Sequence, residues 1–518
     1  MRRFDARLLL ISFVAVLAFI FICPRTAHAS PKYEMRGAWL VTAYGIDWPS
    51  CQGVSNQVVR RQQQELDSLL TQLHRAGINA VFFQVRPMAD ALYESSYEPW
   101  SGYLTGSRGS AATYDPLARC VACCHALGME CHAWINPFRV GTRPPSTMLD
   151  NRISRLWMTN CVGKSTMTIF NPALDETREH LCNVCREIAE KYDIDGIVFD
   201  DYFYNPEFIP EDCTAADWKH YLAAAESGMS MADWRRENIN RTIADVYAML
   251  SSVKDGKIRF GVSPQGIGGA NGVYADEGVP SLTGYGVVTG DSQYDKIYSD
   301  PVRWLRDGLV DYISPQIYWT TDNPRHPYGG LSRWWNDVAE MYGRHCFPSQ
   351  TMAAFDKNNT PDQWKETLRQ IELNREYSFN YAPGTVLYSS RFIVGKPGGK
   401  RFSDALRKEP FSVPALVPPM RWKPSVHPIE VTGLTISGSG LLKWDAADDA
   451  RYVIYAVPDS VSDNEMFNTD CDGIAPEYII AITYDAFYTL PVRYRKNHRI
   501  AVSPYDRYGV EWQPSFLN

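Results

Sequence analysis

Between residues 30 and 395 the chain alternates short apolar runs with segments whose apolar residues recur every three or four positions. Continuous apolar runs are typical of parallel strands buried on both faces, and the longer spacing is typical of helices that cover a sheet. The predicted strands span residues 36–42, 80–85, 130–136, 196–200, 258–263, 312–318, 345–350 and 385–390. The predicted helices cover residues 66–73, 115–127, 173–192, 231–253, 302–308, 331–342 and 361–375.

This alternation predicts an α/β fold with a parallel sheet, either doubly wound or closed into a barrel. No glycine-rich phosphate loop follows the first strand, and eight strand–helix units favour a (β/α)8 TIM barrel over residues 30–408. The loops after strands three, four and five are long, at residues 141–170, 201–230 and 264–300. We expect all three at the carboxyl-terminal face, where barrel active sites are built.

Beyond the barrel the pattern changes twice. Prolines crowd together over residues 409–427, which predicts a stiff linker. Residues 428–518 then show short alternating runs separated by turns, which predicts a small β-sandwich. Trp444 and the closing stretch 501–509 resemble a fibronectin type III domain. We expect this domain to be accessory to the chemistry.

The first residues are typical of a targeting segment. Arg2, Arg3 and Arg7 precede an apolar run over residues 8–22, and Ala27-His28-Ala29 is a small-x-small cleavage site. This pattern predicts a signal peptide over residues 1–29 and a secreted or periplasmic protein without a stable membrane span after cleavage. The alternative is an uncleaved N-terminal membrane anchor.

Composition limits the classes of partner that the protein is expected to bind. A formal net charge of -7 argues against a nucleic-acid partner, which needs basic surface. Aromatic residues make up 13% of the chain, and flat aromatic faces line clefts for ring-shaped ligands. The 12 cysteines include Cys120-x-x-Cys123-Cys124 and Cys182-x-x-Cys185, which resemble metal-ligand spacing but lie in helical patterns. Core thiols or occasional disulfides are the favoured interpretation over zinc, so no metal or cofactor is predicted; the oligomeric state stays open.

The residues that end each strand should meet at one end of a parallel barrel. Asp200 closes the fourth strand and is followed by Asp201, while Asp90 comes shortly after the second strand. Glycosidic cleavage usually needs two carboxyl groups, one ionised and one carrying a proton at a raised pKa. We expect Asp200 to be the ionised group. The alternative is that Asp200 or Asp201 only caps the next loop.

The partner acid is less well defined by the pattern. Asp90 is favoured, with Glu94 and Asp47 as alternatives. Acids, amides, arginine and aromatic residues at the same strand ends suit a sugar, because aromatic faces stack on rings while arginine and amides bind hydroxyl groups. The candidate substrate-binding residues are Arg86, Trp134, Asn136, Gln316, Tyr318 and Trp319. The competing interpretation of the polar ones is a network that satisfies buried strand ends, and that of the tryptophans is core packing.

Several motifs of four to eight residues resemble the glycosyl hydrolase-like 10 family, in order from about residue 33 to 395. They are Arg36-Gly37-Ala38-Trp39, Phe83-Gln84-Val85-Arg86-Pro87, His132-Ala133-Trp134-Ile135-Asn136-Pro137, Asp195-Gly196-Ile197-Val198-Phe199-Asp200-Asp201-Tyr202, Asp233-Trp234-Arg235-Arg236-Glu237-Asn238 and Pro315-Gln316-Ile317-Tyr318-Trp319 together with shorter flanking matches. The resemblance implies a (β/α)8 barrel that hydrolyses glycans outside the cytoplasm in a bacterial envelope, with peptidoglycan strands stripped of their peptides as the substrate class.

Asp200 matches the nucleophile position of the related α-amylase-type barrels. The end of strand five, Phe260-Gly261-Val262-Ser263-Pro264, lacks the glutamate of those barrels, and Tyr202 stands where chitinase-type motifs carry one. The acid therefore comes from elsewhere, or the substrate assists. The leading hypothesis is a secreted glycoside hydrolase acting on peptidoglycan strands or a related polysaccharide through paired carboxylates. The alternative is a non-catalytic glycan-binding or scaffolding protein of the envelope.

Overall fold

The computed structural model describes residues 30–142, 151–162, 165–204, 211–226, 228–268, 272–288, 293–352, 361–378, 382–395, 402–423, 429–467 and 473–517. The predicted signal peptide, the last residues of the predicted linker and residue 428 lie outside the described residues. Among the helices described, none is both long and apolar enough to cross a membrane.

Nineteen strands, numbered along the chain, are described. They are β1 Met35–Leu40, β2 Ala80–Arg86, β3 Glu130–Ile135, β4 Arg139–Gly141, β5 Trp157–Val162, β6 Ser165–Phe170, β7 Gly196–Phe199, β8 Arg259–Val262, β9 Tyr312–Ile313, β10 His345–Cys346, β11 Ser349–Thr351, β12 Gly384–Tyr388, β13 Thr435–Ile436, β14 Leu441–Lys443, β15 Arg451–Pro458, β16 Ile479–Thr483, β17 Phe487–Thr489, β18 His498–Tyr505 and β19 Ser515–Phe516. The α-helices of the described chain are Asn56–Arg75, Gly102–Thr105, Pro116–Ala126, Asp175–Lys191, Trp218–Ala224, Met231–Ser252, Gln293–Lys296, Pro301–Arg306, Tyr328–Met341, Pro361–Tyr377, Ser390–Val394, Phe402–Lys408 and Asp463–Met466.

Nine of these strands form one curled parallel sheet in the order β10-β9-β8-β7-β3-β2-β1-β12-β11. Only Phe347 and Pro348 separate β10 from β11, so the two edge strands of the row are consecutive pieces of chain. The predicted strand 345–350 is divided here because proline has no N–H to donate to a ladder. Neighbours follow chain order from β1 to β10, and the last strand, β12, returns to pair with β1, whereas a doubly wound sheet reverses its strand order. The predicted α/β class is confirmed.

Local sequence explains the helix that joins β1 to β2. Ser55 accepts a hydrogen bond from the Val58 N–H and caps the first turn, and the predicted leucine stripe faces the core with Leu66, Leu70 and Leu73 fully buried. Gly77 follows the helix end at φ 88°, a left-handed conformation that favours glycine. The chain therefore turns back into β2 where the pattern predicts it.

Large side chains fill the inside of the sheet. A Cβ added at Gly196 would lie 2.3 Å from the ring of His132, and one at Gly261 would lie 2.1 Å from Tyr312. Glycines at these two strand positions leave room for the His132 and Tyr312 rings, which contact each other through a 3.0 Å hydrogen bond. The interior is thus a packed core, and a ligand site is expected at the strand ends.

Insertions widen the carboxyl-terminal ends of the strands, here called the rim. The predicted long loop after β3 contains a three-stranded antiparallel sheet in the order β4-β6-β5. The loop after β7 contains the helix Trp218–Ala224, and two short 3-10 helices, Ala275–Glu277 and Leu282–Tyr285, follow β8. These insertions rise on the side of the sheet where Asp200 and Asp201 lie.

The carboxyl-terminal region is all-β. It contains one antiparallel sheet of order β13-β14-β17 and a second of order β16-β15-β18-β19. Leu442 of the first sheet shares a hydrophobic core with Tyr452, Ile454 and Val502 of the second. Two sheets packed through a common core follow the strand pattern read from the sequence.

This region contacts the amino-terminal ends of the parallel strands, where Glu130, Asp195, Arg451 and Arg507 form a buried junction, here called the floor. Arg451 Nη1 lies 2.7 Å from Glu130 Oε1, and Arg507 Nη2 lies 3.2 Å from Asp195 Oδ1. Earlier in the chain than Arg451, Leu416 of the proline-rich segment is fully buried and forms a β-bridge with Tyr33. Because charged groups from both regions are buried together, we expect the all-β region to be part of the folded unit.

Candidate active site

Asp200 lies one residue beyond β7, at the rim. Its side chain is 3% exposed. Its Oδ2 accepts hydrogen bonds from Trp134 Nε1 at 2.9 Å and from Asn136 Nδ2 at 3.3 Å. Oδ1 is buried and accepts no hydrogen bond from the described side chains or backbone. One carboxylate oxygen is therefore fixed by two donors from the β3 end, and the other is buried without a hydrogen-bond donor among the described residues.

Burial, together with the charge of the neighbouring Asp201, raises the pKa of Asp200 to about 7. Arg139 acts in the opposite direction without cancelling this effect. With this pKa, Asp200 carries a proton in about half of the molecules near neutral pH, which differs from the expectation that it is the ionised group. The reason is physical: no cation pairs with this carboxyl, so burial favours its neutral form.

Asp201 belongs to the same site and is held by Gln316, which follows β9 of the same sheet. Its Oδ1 accepts a hydrogen bond from Gln316 Nε2 at 3.0 Å, and the same nitrogen donates to the Ser263 carbonyl at 3.1 Å. Burial raises the pKa of Asp201, while hydrogen bonds from Gln316 and Gln265 lower it. The structure thus brings Asp200, Asp201, Asn136 and Gln316 together as the sequence predicts.

Aromatic side chains border these acids. The Tyr318 ring centroid lies 5.8 Å from that of Tyr388, and both rings are partly buried. Tyr202 is 47% exposed beside Asp201. Trp319 is also partly exposed and packs against His326 with 4.8 Å between centroids. An open edge of aromatic rings beside two carboxyl groups is an arrangement that suits a sugar ring.

Trp134 does not offer an open stacking face. It is buried, and its ring meets Trp39 edge-on at 4.8 Å between centroids. Its contribution to the site is the indole N–H that it donates to Asp200. The sequence predicts that Trp134 either stacks on a sugar or packs in the core, and in the structure it packs in the core.

Arg86 is a correction to the predicted substrate contacts. Its guanidinium is fully buried and holds Glu98 through two hydrogen bonds of 2.7 and 2.6 Å. It also donates to the carbonyls of Asn136 and Pro137. Because every direction of the guanidinium is occupied by protein, Arg86 supports the β3 end and does not face a ligand.

Asp90 is buried near the rim. Its Oδ1 accepts the Met88 N–H at 3.1 Å, and burial raises its pKa to about 6 although Arg108 opposes the shift. Asp47 has a pKa raised to about 6 by burial, but it accepts hydrogen bonds from Val41, Ser389 and Arg391. Those three bonds give Asp47 a role in joining the first and last strand ends.

Glu94, the other alternative partner acid, is exposed, and its side chain forms no hydrogen bond among those described. Three residues that were not among the predicted site residues also line the site, namely Arg139, Tyr202 and Tyr388. Tyr202 follows the two acids directly, Tyr388 is the last residue of β12, and Arg139 lies four residues after the end of β3. Strand-end position was therefore the signal that could have selected them.

The described residues include one group of side chains suited to a soft metal. The sulfur atoms of Cys120, Cys124 and Cys131 lie within 4.8 Å of one another and are fully buried between a helix and β3. Nine cysteines whose side chains the structure describes are unpaired thiols. The first two come from the predicted metal-like spacing, and the third was not foreseen.

Comparison with known proteins places the chain in a family. The family model of glycosyl hydrolase-like 10 matches residues 34–366. The chain is 32% identical over 417 residues to the glycosyl hydrolase YngK of Bacillus subtilis (strain 168), covering 79% of this chain and 78% of that protein. It is 33% identical over 399 residues to the glycosyl hydrolase DigH of Escherichia coli (strain K12), covering 71% of this chain and 86% of that protein.

Among solved structures, the glycoside hydrolase domain of PgaB (BpsB) from Bordetella bronchiseptica aligns with 72% of this chain and 98% of that domain, at 13% identity and a TM-score of 0.46. The family match and the two relatives, both over most of the chain, lead to the same assignment. The chain belongs to the glycosyl hydrolase-like 10 family, and it is a glycoside hydrolase.

Proposed function

We propose that this protein hydrolyses glycosidic bonds in peptidoglycan glycan strands, outside the cytoplasm. The observation that carries the proposal is Asp200, a buried carboxyl with a pKa of about 7 and one unoccupied oxygen, at an edge lined with partly exposed aromatic rings. A carboxyl that is half protonated near neutral pH suits proton transfer to a leaving oxygen. The family resemblance supports the choice of glycan.

In the proposed reaction Asp200 gives its proton to the glycosidic oxygen as the bond between that oxygen and the anomeric carbon breaks. Asp201, which accepts a hydrogen bond from Gln316 and is partly exposed, provides the negative charge that stabilises the cation-like transition state. Water then adds to the anomeric carbon, and its proton returns to Asp200. Asp90 is the alternative partner for the second carboxyl role.

The proposal extends to the architecture and setting of the chain. Residues 30–408 form a closed (β/α)8 barrel, supported by the two edge strands that are consecutive in the chain. Residues 428–518 form a fibronectin type III-like sandwich, supported by two antiparallel sheets with one core. The segment 1–29 directs secretion or periplasmic export, supported by its arginines, apolar run and small-residue cleavage site.

The test is product analysis with the purified full chain. Peptidoglycan strands stripped of their peptides and intact sacculi are incubated separately, and the soluble products are identified by mass spectrometry. We expect short glycan fragments with new reducing ends from the stripped strands. Asp200→Asn is run in parallel to exclude a contaminating enzyme. Absence of any new reducing end from either material would remove peptidoglycan as the substrate.

A further inference from the structure

Arg139 differs from the buried arginines that support the sheet. Arg36, Arg86 and Arg235 each hold a carboxylate, at 2.6 Å from Glu34, 2.6 Å from Glu98 and 2.7 Å from Asp217. Arg139, in contrast, forms no ion pair with any residue that the structure describes. Its side chain is partly exposed at the rim, so its positive charge is available to a group outside the chain.

Two contacts hold Arg139 in place. Its backbone N–H donates to Asn136 Oδ1 at 2.8 Å, which ties the start of β4 to a residue that also contacts Asp200. Its guanidinium carbon lies 3.4 Å from the centroid of the Tyr202 ring. A guanidinium stacked on an aromatic face keeps its N–H groups directed outward in its own plane, where they can form a two-point contact with a carboxylate.

The location of this stack relates it to the reacting bond. Tyr202 follows Asp201 directly, and the charge of Arg139 acts on the pKa of both Asp200 and Asp201. The pKa values of both acids nevertheless remain raised, because neither acid forms an ion pair with Arg139. The site therefore holds one cation close to two carboxyl groups without neutralising either.

We propose that Arg139 binds a carboxylate carried by the glycan itself, beside the linkage that Asp200 and Asp201 cleave. This inference rests on the proposed function. In peptidoglycan the lactyl group of every second sugar is joined to a peptide through an amide. Once the peptide is removed, the lactyl group ends in a free carboxylate, which matches the planar, charged edge of Arg139. The same contact disfavours strands that still carry peptides, because an amide is neutral.

The test measures binding and turnover separately. Stripped strand fragments are prepared with free lactyl carboxylates and, in a second batch, with those carboxylates converted to neutral amides. Binding of both batches is measured by calorimetry on Asp200→Asn and on the double variant Asp200→Asn, Arg139→Gln. Turnover of both batches is measured on the wild type, on Arg139→Gln, on Arg139→Lys and on Arg155→Gln, an exposed arginine of the same insertion that serves as control.

We expect the free carboxylate to be bound and cleaved about 10- to 100-fold better than the amide, the range of a charge-assisted two-point contact. Arg139→Gln should remove this preference by weakening only the free-carboxylate arm, Arg139→Lys should restore part of it, and Arg155→Gln should behave as the wild type. Equal binding of the two batches by the Arg139-containing protein would overturn the inference. Selective binding without any turnover would support Arg139 and instead overturn the proposed hydrolysis of these strands.

Discussion

Two aspartates at opposite ends of β7 show how one strand serves two purposes. Asp195 precedes the strand at the floor and Asp200 follows it at the rim, and they are 4% and 3% exposed. Burial alone raises the pKa of both carboxyls. At Asp195 the charges of Arg507 and His125 reverse that effect and hold the pKa well below its usual range. At Asp200 no cation does so, and the pKa rises to about 7.

The difference separates a paired structural acid from the acid that is proposed to act in catalysis. Asp195 accepts bonds from the Cys131 N–H at 2.8 Å, from Tyr484 Oη at 3.0 Å and from Arg507, so both its oxygens are occupied. Its neighbour Glu130 is held between Arg259 and Arg451, which outweigh burial and lower its pKa to about 2. The two acids of the floor are thus paired with cations of the chain, whereas Asp200 at the rim forms no ion pair with the residues that the structure describes.

The largest expected effect comes from breaking the floor. Arg451→Met should lower the free energy of unfolding by about 3–5 kcal/mol, because Glu130 would lose a partner while remaining buried. Urea unfolding followed by fluorescence measures this change. Arg241→Met, which breaks the more exposed Arg241–Glu237 pair, is the control and should change stability by about 1 kcal/mol or less. Similar small losses for both variants would show that the junction is not an energetic part of the fold.

Removing the rim acid should reduce catalysis without unfolding the protein. Asp200→Asn keeps the shape of the side chain but loses the proton, and we expect kcat on stripped strands to fall about 10²- to 10⁴-fold. Reducing-end assays measure the rate. Asp212→Asn, at an exposed aspartate whose described hydrogen bonds come from Thr214 alone, is the matched control and should keep full activity. A folded Asp200→Asn protein with wild-type kcat would remove Asp200 from the reaction.

The two ends of β7 should also respond to pH in opposite directions. Asp200 has a folded pKa of about 7 against an ordinary value of 3.8, so the native state binds the extra proton and stability falls as pH rises between these values. Asp200→Asn should therefore become more stable than the wild type over that range, by at most about 4 kcal/mol near neutral pH. Glu130, at about 2 against 4.5, contributes stability above 4.5 that is lost as pH falls toward 2.

Denaturant unfolding of the wild type and of Asp200→Asn from pH 4 to pH 8 measures how Asp200 changes stability. Over the same range, kcat of the wild type should decline above about pH 7 as Asp200 loses its proton. A stability difference that does not change with pH would mean that Asp200 titrates near its ordinary value in the native protein.

The smallest expected effect concerns the hydrogen bond that fixes Asp200. Trp134→Phe removes the indole N–H that lies 2.9 Å from Asp200 Oδ2 and keeps much of the apolar packing. Because that bond favours the charged form, its loss should raise the pKa of Asp200 and shift the decline of kcat to higher pH. A hydrogen bond to a charged group contributes about 1.5–3 kcal/mol, so a shift of about one pH unit or more is expected. An unchanged pH profile would show that the bond has no influence on titration.

Much of the fold could be predicted because its signals are local. The buried strands appear as apolar runs, and helix 56–75 appears as a leucine stripe between Ser55 and Gly77. The strand predicted over 312–318 is shorter in the structure, as β9, and the strand predicted over 345–350 is divided. In both cases a proline, Pro315 or Pro348, lies within the predicted strand, where it cannot donate to a ladder.

The candidate site was predictable only in part. The strand-end rule placed Asp200, Asp201, Asn136 and Gln316 together, since parallel strands end on the same side. It could not separate Arg86 from Arg139, because both follow a strand end. Glu98, which forms the salt bridge with Arg86, lies on a loop whose course depends on the packing of the whole rim.

The amino-acid sequence by itself determined the order of strands and helices, the positions of the strand ends and the family. Those properties follow from periodicity and from motifs that are read along the chain. Only the tertiary structure decided which acid is charged and which arginine is free. Glu130 meets Arg451 across 321 positions of sequence, and Asp200 meets Trp134 across 66. A pKa depends on burial and on charges in space, and residues so far apart become neighbours only when the chain has folded.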